Sequence, residues 1–324
     1  MEPIIETMDQ SERVLVKYPL FKIAVARIQA CFDSHSATVE PDCCPIVGES
    51  GSGKTTIISY FESLHPRIDH KWGLEVPVLV AKVPARPTVK SFAETLLYQL
   101  GDPLWSRGNT VSKSIRLREL LKHCRVRLLA LDEFQHFVDV RQANIPNEVA
   151  DWLKEQVEET KLAIVVLGLQ RCLEVLRQNE QLRRRFGATL RVGAFRWELK
   201  DDRTSYRAFL RAVEQQLPEY ETPSLSDIAM AFRMHYASYG LIGYTMKITR
   251  GATRIARFHP KREITLRTLS QSFAEHVWSE RLADPNPFAE SFDCAKPPPR
   301  RLPSAISEAQ VAGRSRSQRL DLHA

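Results

Sequence analysis

Several common sequence features are missing from this chain, and their absence excludes whole classes of protein. No apolar run approaches the ~20 residues needed to cross a bilayer. The N-terminus, residues 1–6, is acidic, and it lacks the positively charged region followed by an apolar stretch that marks a signal peptide. The six cysteines, at positions 31, 43, 44, 124, 172 and 294, include no CxxC pair and no metal-ligand spacing. We therefore expect a cytoplasmic protein with reduced thiols and no membrane partner.

The composition is that of a globular protein with a moderate basic excess. The chain has 324 residues, of which 43% are hydrophobic and 26% are charged, and this length allows one large or two modest domains. The net charge is +7 and the sequence pI is about 9.1. Such an excess favours anionic partners, nucleic acid among them, where the charge lies on a surface that other evidence also indicates.

Apolar runs alternate with amphipathic helices through the first two thirds of the chain. The predicted strands are residues 45–47, 76–83, 126–131, 162–167 and 190–195. The predicted helices are residues 11–32, 57–64, 91–100, 112–124 and 147–159. Buried strands that alternate with helices indicate an α/β fold, in which helices flank a parallel sheet.

Beyond Trp197 the strand signals stop. The predicted helices of this part are residues 206–216, 225–238, 242–258 and 266–281, and the composition then turns to proline, serine and arginine. We accordingly predict four regions. They are an N-terminal helical extension (1–44), an α/β core (45–199), a small all-helical domain (200–283) and a disordered basic tail (284–324).

A glycine-rich segment follows the first predicted strand. Residues 48–55, GESGSGKT, match the phosphate-loop pattern G-x-x-x-x-G-K-[ST] at every required position. Glycines let backbone N–H groups turn towards phosphate oxygens, the lysine reaches the β- and γ-phosphates, and the threonine ligates Mg²⁺. The predicted ATP-binding residues here are Gly48, Glu49, Ser50, Gly51, Ser52, Gly53, Lys54, Thr55 and Thr56.

Two carboxylates end the third predicted strand. Asp132 and Glu133 follow the apolar run LLAL, so a parallel sheet delivers both to the edge that carries the phosphate loop. We expect Asp132 to hold Mg²⁺ together with Thr55, and Glu133 to polarise the attacking water as general base. The sequence therefore predicts an ATPase with ATP and Mg²⁺ as its cofactors and with Lys54 and Glu133 as catalytic residues.

Five stretches resemble the AAA+ superfamily and, within it, the TniB/TnsC group of transposition ATPases. They are residues 48–61, 127–139 (with DEFQH), 163–176, 179–199 (with QLRRRF) and 239–256 (with GLIG). The resemblance covers roughly residues 10–280. It implies an AAA+ core followed by a helical lid domain, and it implies a homo-oligomer, either a ring or a helical filament.

The resemblance also implies roles for residues after the fourth strand. Arg185, before Phe186, takes the position of an arginine that reaches the γ-phosphate in the neighbouring subunit, with Arg184 as the alternative. A basic helix end that caps its own helix or contacts DNA is the competing interpretation. At the sensor-one position, usually threonine, stands Gln170, so either this residue substitutes or the sensor is lost.

Proteins of this group thread double-stranded DNA through their assembly. The resemblance assigns DNA contacts to the segment between the second and third strands, with Arg107, Thr110, Lys113 and Arg116 as candidates, although these could also form the solvated face of a helix. The implied function is an ATP-dependent regulator of transposition that recruits a transposase and a TniQ-like target selector. The alternative is a helicase loader or replication initiator, disfavoured because residues after 281 are too proline-rich for a DNA-reading domain.

Overall fold

The structure, a computed structural model, describes residues 14–37, 40–139, 144–277 and 285–295. The described residues divide into two compact units, one within residues 19–193 and the other within residues 14–18 and 194–295. This division differs from the predicted one. The helix that starts at Pro19 belongs to the sheet-containing unit, whereas the prediction placed it in an N-terminal extension of residues 1–44.

The sheet-containing unit alternates short strands with helices. Its strands are β1 Cys44–Val47, β2 Ile68–His70, β3 Gly73–Glu75, β4 Val78–Lys82, β5 Leu128–Asp132, β6 Ala163–Gly168 and β7 Leu190–Arg191. Its helices are α1 Pro19–Ala37, α2 Lys54–Leu64, α3 Val89–Gln99, α4 Thr110–His123, α5 His136–Asp139, α6 Ile145–Thr160, α7 Leu173–Arg177 and α8 Glu180–Arg185. None of the helices in the described part of the chain is both long and apolar enough to cross a membrane.

Five strands form one sheet in the order β4-β5-β6-β1-β7, and every neighbouring pair is parallel. Strands β1, β5 and β6 are buried along their whole length, which explains their continuous apolar sequences. The predicted parallel sheet flanked by helices is confirmed. Because the three strands are neighbours, the segments that follow Val47, Asp132 and Gly168 meet at one edge.

Local features differ from the prediction at several places, among them strand β7, which is only Leu190–Arg191 where the prediction had residues 190–195. Residues 68–75 form an antiparallel hairpin of β2 and β3 that the sequence did not indicate, because it lacks apolar alternation. Helix α1 starts at Pro19, whereas the prediction started at residue 11; residues 11–13 lie outside the described part of the chain.

The second unit is helical, as predicted. Its helices are α9 Lys200–Gln215, α10 Ile228–Ser238, α11 Ile242–Ala256 and α12 Leu266–His276. At its centre the fully buried Tyr206 hydroxyl lies 3.2 Å from Ser238 Oγ and 2.9 Å from Thr245 Oγ1. This hydrogen bonding joins three helices, since a buried hydroxyl without partners would be costly.

The first residues of the predicted tail are packed. Arg233 donates to the carbonyl oxygens of Pro287 and Ala289 at 2.6 and 2.8 Å, and the rings of Phe288 and Phe292 are buried. The prediction of a disordered tail from residue 284 is therefore wrong for residues 285–295. Burying two aromatic rings offsets the entropy of ordering this short segment. Residues 296–324 lie outside the described part of the chain.

We predict that Phe288→Ala destabilises the helical unit by about 3 kcal/mol or more, because it removes a buried ring. Phe288 is 2% exposed, whereas Phe258, at 88% exposed, is the matched control, and Phe258→Ala is expected to change stability by less than about 0.5 kcal/mol. Urea denaturation followed by circular dichroism measures both effects. Equal midpoints for the two variants would show that the segment after residue 284 does not contribute.

Candidate active site

The phosphate loop joins β1 to α2 in left-handed backbone geometry. Gly51 and Gly53 have φ angles of 79° and 95°, which glycine adopts without a Cβ clash. Gly53 is also the N-cap of α2 and brings no side chain to cap the helix. The first N–H groups of α2 therefore suit an anion, which the positive end of the helix also favours.

Lys54 is folded into this loop. Its ammonium donates to the carbonyl oxygens of Gly48 and Glu49 at 2.8 and 2.9 Å. Burial lowers the pKa of Lys54, and Asp132 and Glu133 act in the opposite direction. Among the described residues the buried Ser52 Oγ has no hydrogen-bond partner. A positive group and an unsatisfied polar group in one concave loop fit a bound phosphate.

The two predicted magnesium ligands lie side by side. The Thr55 hydroxyl donates to Asp132 Oδ2 at 2.7 Å, which connects the start of α2 to the end of β5. Asp132 is buried, and its other carboxylate oxygen accepts a bond from the backbone N–H of Glu133 at 2.9 Å. A hydroxyl and a carboxylate oxygen at this spacing fit Mg²⁺, which prefers oxygen ligands and the phosphates of its nucleotide.

Glu133 is held in an unusual backbone conformation. Its φ angle is 56°, in the left-handed region that non-glycine residues rarely adopt. Its carboxylate accepts a hydrogen bond from the side-chain amide of Gln135. Strain of this kind costs on the order of 1–3 kcal/mol and persists only where surrounding contacts hold it. Gln135 was not among the predicted site residues, although it lies within the DEFQH motif.

Gln170, the predicted sensor-one residue, has a different environment. Its side chain is exposed and its amide oxygen accepts from Arg191 at 3.1 Å. The buried amide at the end of β6 belongs to Gln135, whose oxygen accepts from the N–H of Leu169 at 3.0 Å. Of these two glutamines, Gln135 is the one in contact with Glu133.

Arg185, the predicted trans-acting arginine, contacts carboxylates of its own chain. Its side chain is 12% exposed and lies 3.4 Å from Glu158 and 3.7 Å from Glu40. Arg184 is largely exposed, and Arg183 is exposed with no side-chain partner among the described residues. In this conformation the Arg185 guanidinium is not free to reach a neighbouring subunit.

Two of the predicted DNA contacts serve the fold instead. Lys113 is 0% exposed, and its ammonium lies 3.0 Å from Glu94 and 3.0 Å from the carbonyl oxygen of Trp105. The expectation that Lys113 contacts DNA is therefore wrong for this structure, because its charge is enclosed. Arg116 bonds Asp102 at 2.6 Å and the carbonyl oxygen of Leu104 at 2.7 Å. Both cations fix the loop before α4.

The other two predicted contacts lie at the start of α4. Arg107 is exposed, and among the described residues its guanidinium has no partner. Thr110 is half-buried as the first residue of α4, next to the N-cap Asn109, whose side chain accepts from Ser112 N at 2.9 Å. Arg107 is therefore the candidate whose charge faces solvent on a loop that Lys113 and Arg116 hold in place.

The strand order and the phosphate loop beside paired acids define a P-loop protein of the AAA+ class. Comparison with protein families extends this result: the model described as bacterial TniB protein matches residues 7–198. The chain belongs to the TniB family, as the motifs indicated. No curated protein sequence matches the chain.

Several solved structures share this fold, among them one Cdc6 protein and two ORC proteins. Cdc6p of Pyrobaculum aerophilum has a TM-score of 0.61 at 14% identity, covering 83% of this chain and 71% of that one. The ORC2 protein of Aeropyrum pernix, solved as ADPNP-ADP complexes, has a TM-score of 0.58 at 15% identity, covering 82% and 70%. The ORC1 protein of Aeropyrum pernix in complex with DNA has a TM-score of 0.57 at 16% identity, covering 83% and 68%. At these identities the likeness shows the fold alone.

We predict that Gly48→Ala weakens nucleotide binding about tenfold to a hundredfold, the equivalent of the 1–3 kcal/mol of strain typical of overpacking. A Cβ at Gly48 would lie 1.9 Å from the carbonyl oxygen of Val192, so the loop has to move. Gly193→Ala is the control, since a Cβ there meets nothing within 4 Å. Titration with a fluorescent ATP analogue measures both. If Gly48→Ala binds the nucleotide as tightly as the unaltered chain, the placement of the nucleotide in the loop that starts at Gly48 is contradicted.

Proposed function

We propose that this chain is an ATPase that assembles on double-stranded DNA in the presence of ATP and thereby regulates transposition. The observation that carries the proposal is the hydrogen bond between Thr55 and Asp132, which unites the phosphate loop and the paired acids in one site. This site lies in a chain of the TniB family, and the family match supports transposition as the process that the ATPase regulates.

The proposed reaction is hydrolysis of ATP to ADP and phosphate. Lys54 and the N–H groups at the start of α2 bind the β- and γ-phosphates. Thr55 and Asp132 would hold Mg²⁺, which would supply positive charge to the phosphates. Glu133 accepts a proton from the water that attacks the γ-phosphorus, and the β-phosphate oxygen leaves with the ADP.

We propose that ATP favours a ring or helical filament of identical subunits. An arginine at the end of α8 contributes to the neighbour's site, where a guanidinium stabilises charge on the transferring phosphoryl group. Arg185 exchanges Glu158 and Glu40 for the γ-phosphate in this step. Hydrolysis removes the ligand that favours the assembled state, so the assembly comes apart.

The proposed DNA contact is electrostatic. Arg107 presents a free charge from a fixed loop, and the chain has a net charge of +7. Such a contact binds phosphates without reading bases. The Aeropyrum ORC1 protein, of similar fold, was solved in complex with DNA. On this DNA the assembly recruits a transposase and a TniQ-like target selector.

A replication-initiator or helicase-loader function is the second candidate, and the likeness to ORC and Cdc6 structures favours it. The TniB family match over residues 7–198 favours transposition. The two candidate functions differ in the protein partner, which is a transposase for the first and a helicase for the second. Stimulation of strand transfer by purified transposase in a reconstituted reaction supports the first candidate, and stimulation of helicase loading supports the second.

We predict that Glu133→Gln binds ATP and accumulates DNA-bound assemblies, because binding is retained while the general base is lost. Hydrolysis is expected to fall by roughly 10²–10⁴-fold, the usual contribution of such a base. Light scattering with ATP and DNA measures assembly, with Lys54→Ala as the non-binding control. The proposal fails if the unaltered chain binds DNA equally well without ATP and forms nothing larger than a dimer.

We predict that Arg107→Ala reduces the slope of log affinity against log salt by about one unit, because one phosphate contact is lost. Its thermal stability should stay unchanged, since the side chain has no partner in the part of the chain that the structure describes. Lys113→Met is the matched comparison and should lower thermal stability without changing the slope, as Lys113 is enclosed. DNA titrations at several salt concentrations distinguish the two. An unchanged slope for Arg107→Ala excludes this contact.

A further inference from the structure

We propose that Gln135 is a further residue of the ATP site, which positions the Glu133 carboxylate and links it to the end of β6. The inference rests on the proposed ATPase function and deepens it. It gives a role to the glutamine of the DEFQH motif, which neither binds the predicted metal nor belongs to the phosphate loop.

The side-chain amide of Gln135 makes two bonds in opposite directions. Its Nε2 donates to Glu133 Oε2, and its Oε1 accepts from the backbone N–H of Leu169 at 3.0 Å. The residue is 4% exposed, so water does not readily replace either bond. Only a carboxamide both donates and accepts with this spacing; a carboxylate accepts only, and an aliphatic side chain does neither.

Gly168 makes room for this arrangement. A Cβ at Gly168 would lie 2.5 Å from Gln135 Oε1 and 3.3 Å from Cys172 Sγ. The carbonyl oxygen of Gly168 accepts from the N–H of Gly48, the first residue of the phosphate loop, at 3.0 Å. The end of β6 therefore contacts the phosphate loop on one side and Gln135 on the other.

These contacts explain how Glu133 keeps a productive orientation. A general base has to lie within hydrogen-bond reach of the water that it activates. The backbone of Glu133 is in a strained left-handed conformation, and the bond from Gln135 holds its carboxylate. The bond from Gln135 occupies Oε2 and leaves Oε1 for the water. A movement of the backbone at the end of β6 would therefore also move the Glu133 carboxylate, through Gln135.

Gln135→Glu and Gln135→Leu separate positioning from structural support. At pH 8 the glutamate retains an oxygen for the Leu169 N–H but loses the donor to Glu133, whereas leucine loses both. We expect both variants to lower kcat roughly tenfold to a hundredfold, part of what a positioned base contributes. The dissociation constant for ATP should stay within about twofold, because phosphate binding is untouched. Thermal stability should fall more for the leucine variant. An unaltered kcat for both Gln135→Glu and Gln135→Leu overturns the inference.

Two further variants test the link itself. The methyl group added by Gly168→Ala displaces Gln135 Oε1, so we expect this variant also to lower kcat while ATP binding is retained.

In the Glu133→Gln background, Gln135→Leu should produce no further loss of kcat, since the effects of residues that act as a unit are not additive. An additional tenfold loss there would show that Gln135 acts independently of Glu133 and would overturn the inference.

The unaltered chain and Glu133→Gln complete the experiment. If the unaltered chain does not hydrolyse ATP, the proposed function fails and this inference fails with it. If the unaltered chain hydrolyses ATP and Glu133→Gln impairs it while neither Gln135 variant does, only the positioning role of Gln135 is wrong.

Discussion

The parallel pairing of β1 with β6 and of β6 with β5 is the constraint on which the site depends. It places the ends of three buried strands at one edge of the sheet, so that residues far apart in sequence become neighbours. The hydrogen bond between Thr55 and Asp132 spans 77 positions of the chain and exists only because of this register. A shift by one residue would turn each strand side chain to the opposite face and remove the carboxylates from the loop.

Within this frame the charges of the site balance one another. The ammonium of Lys54 is buried, which is unfavourable for a cation, and it is compensated by two loop carbonyl oxygens and by the nearby Asp132 and Glu133. The negative charge of a triphosphate provides a stronger partner than the carbonyl oxygens. The proposed exchange of these contacts on binding does not require new left-handed turns, since the loop backbone already has them at Gly51 and Gly53.

Most of the fold and the centre of the site could be predicted from the sequence, because both depend on local patterns. Continuous apolar runs identified the buried strands, and the phosphate loop is defined by eight consecutive residues. Side-chain partners were harder to predict. Lys113 was interpreted as a solvent-facing cation, yet it shares a helix face with Leu117 and Leu121, spaced four residues apart. That spacing was the signal of its burial. No local pattern indicated that Gln135 bonds both Glu133 and the end of β6, because its second partner lies 34 positions away.

Several cations in this chain already form ion pairs with carboxylates. A ligand that binds one of these cations has to replace that ion pair. Arg185 lies between Glu40 and Glu158, and Arg116 holds a loop through Asp102. The difference between them is geometry. Arg116 Nε lies 2.6 Å from its carboxylate, whereas the two contacts of Arg185 are 3.4 and 3.7 Å long and involve carboxylates that are themselves partly exposed. Since ion pairs with exposed carboxylates contribute little, the proposed exchange of Arg185 onto a γ-phosphate of a second subunit breaks only weak contacts. The structure thus distinguishes Arg116, which has a short bond to a buried carboxylate, from Arg185, which has two longer contacts to exposed carboxylates.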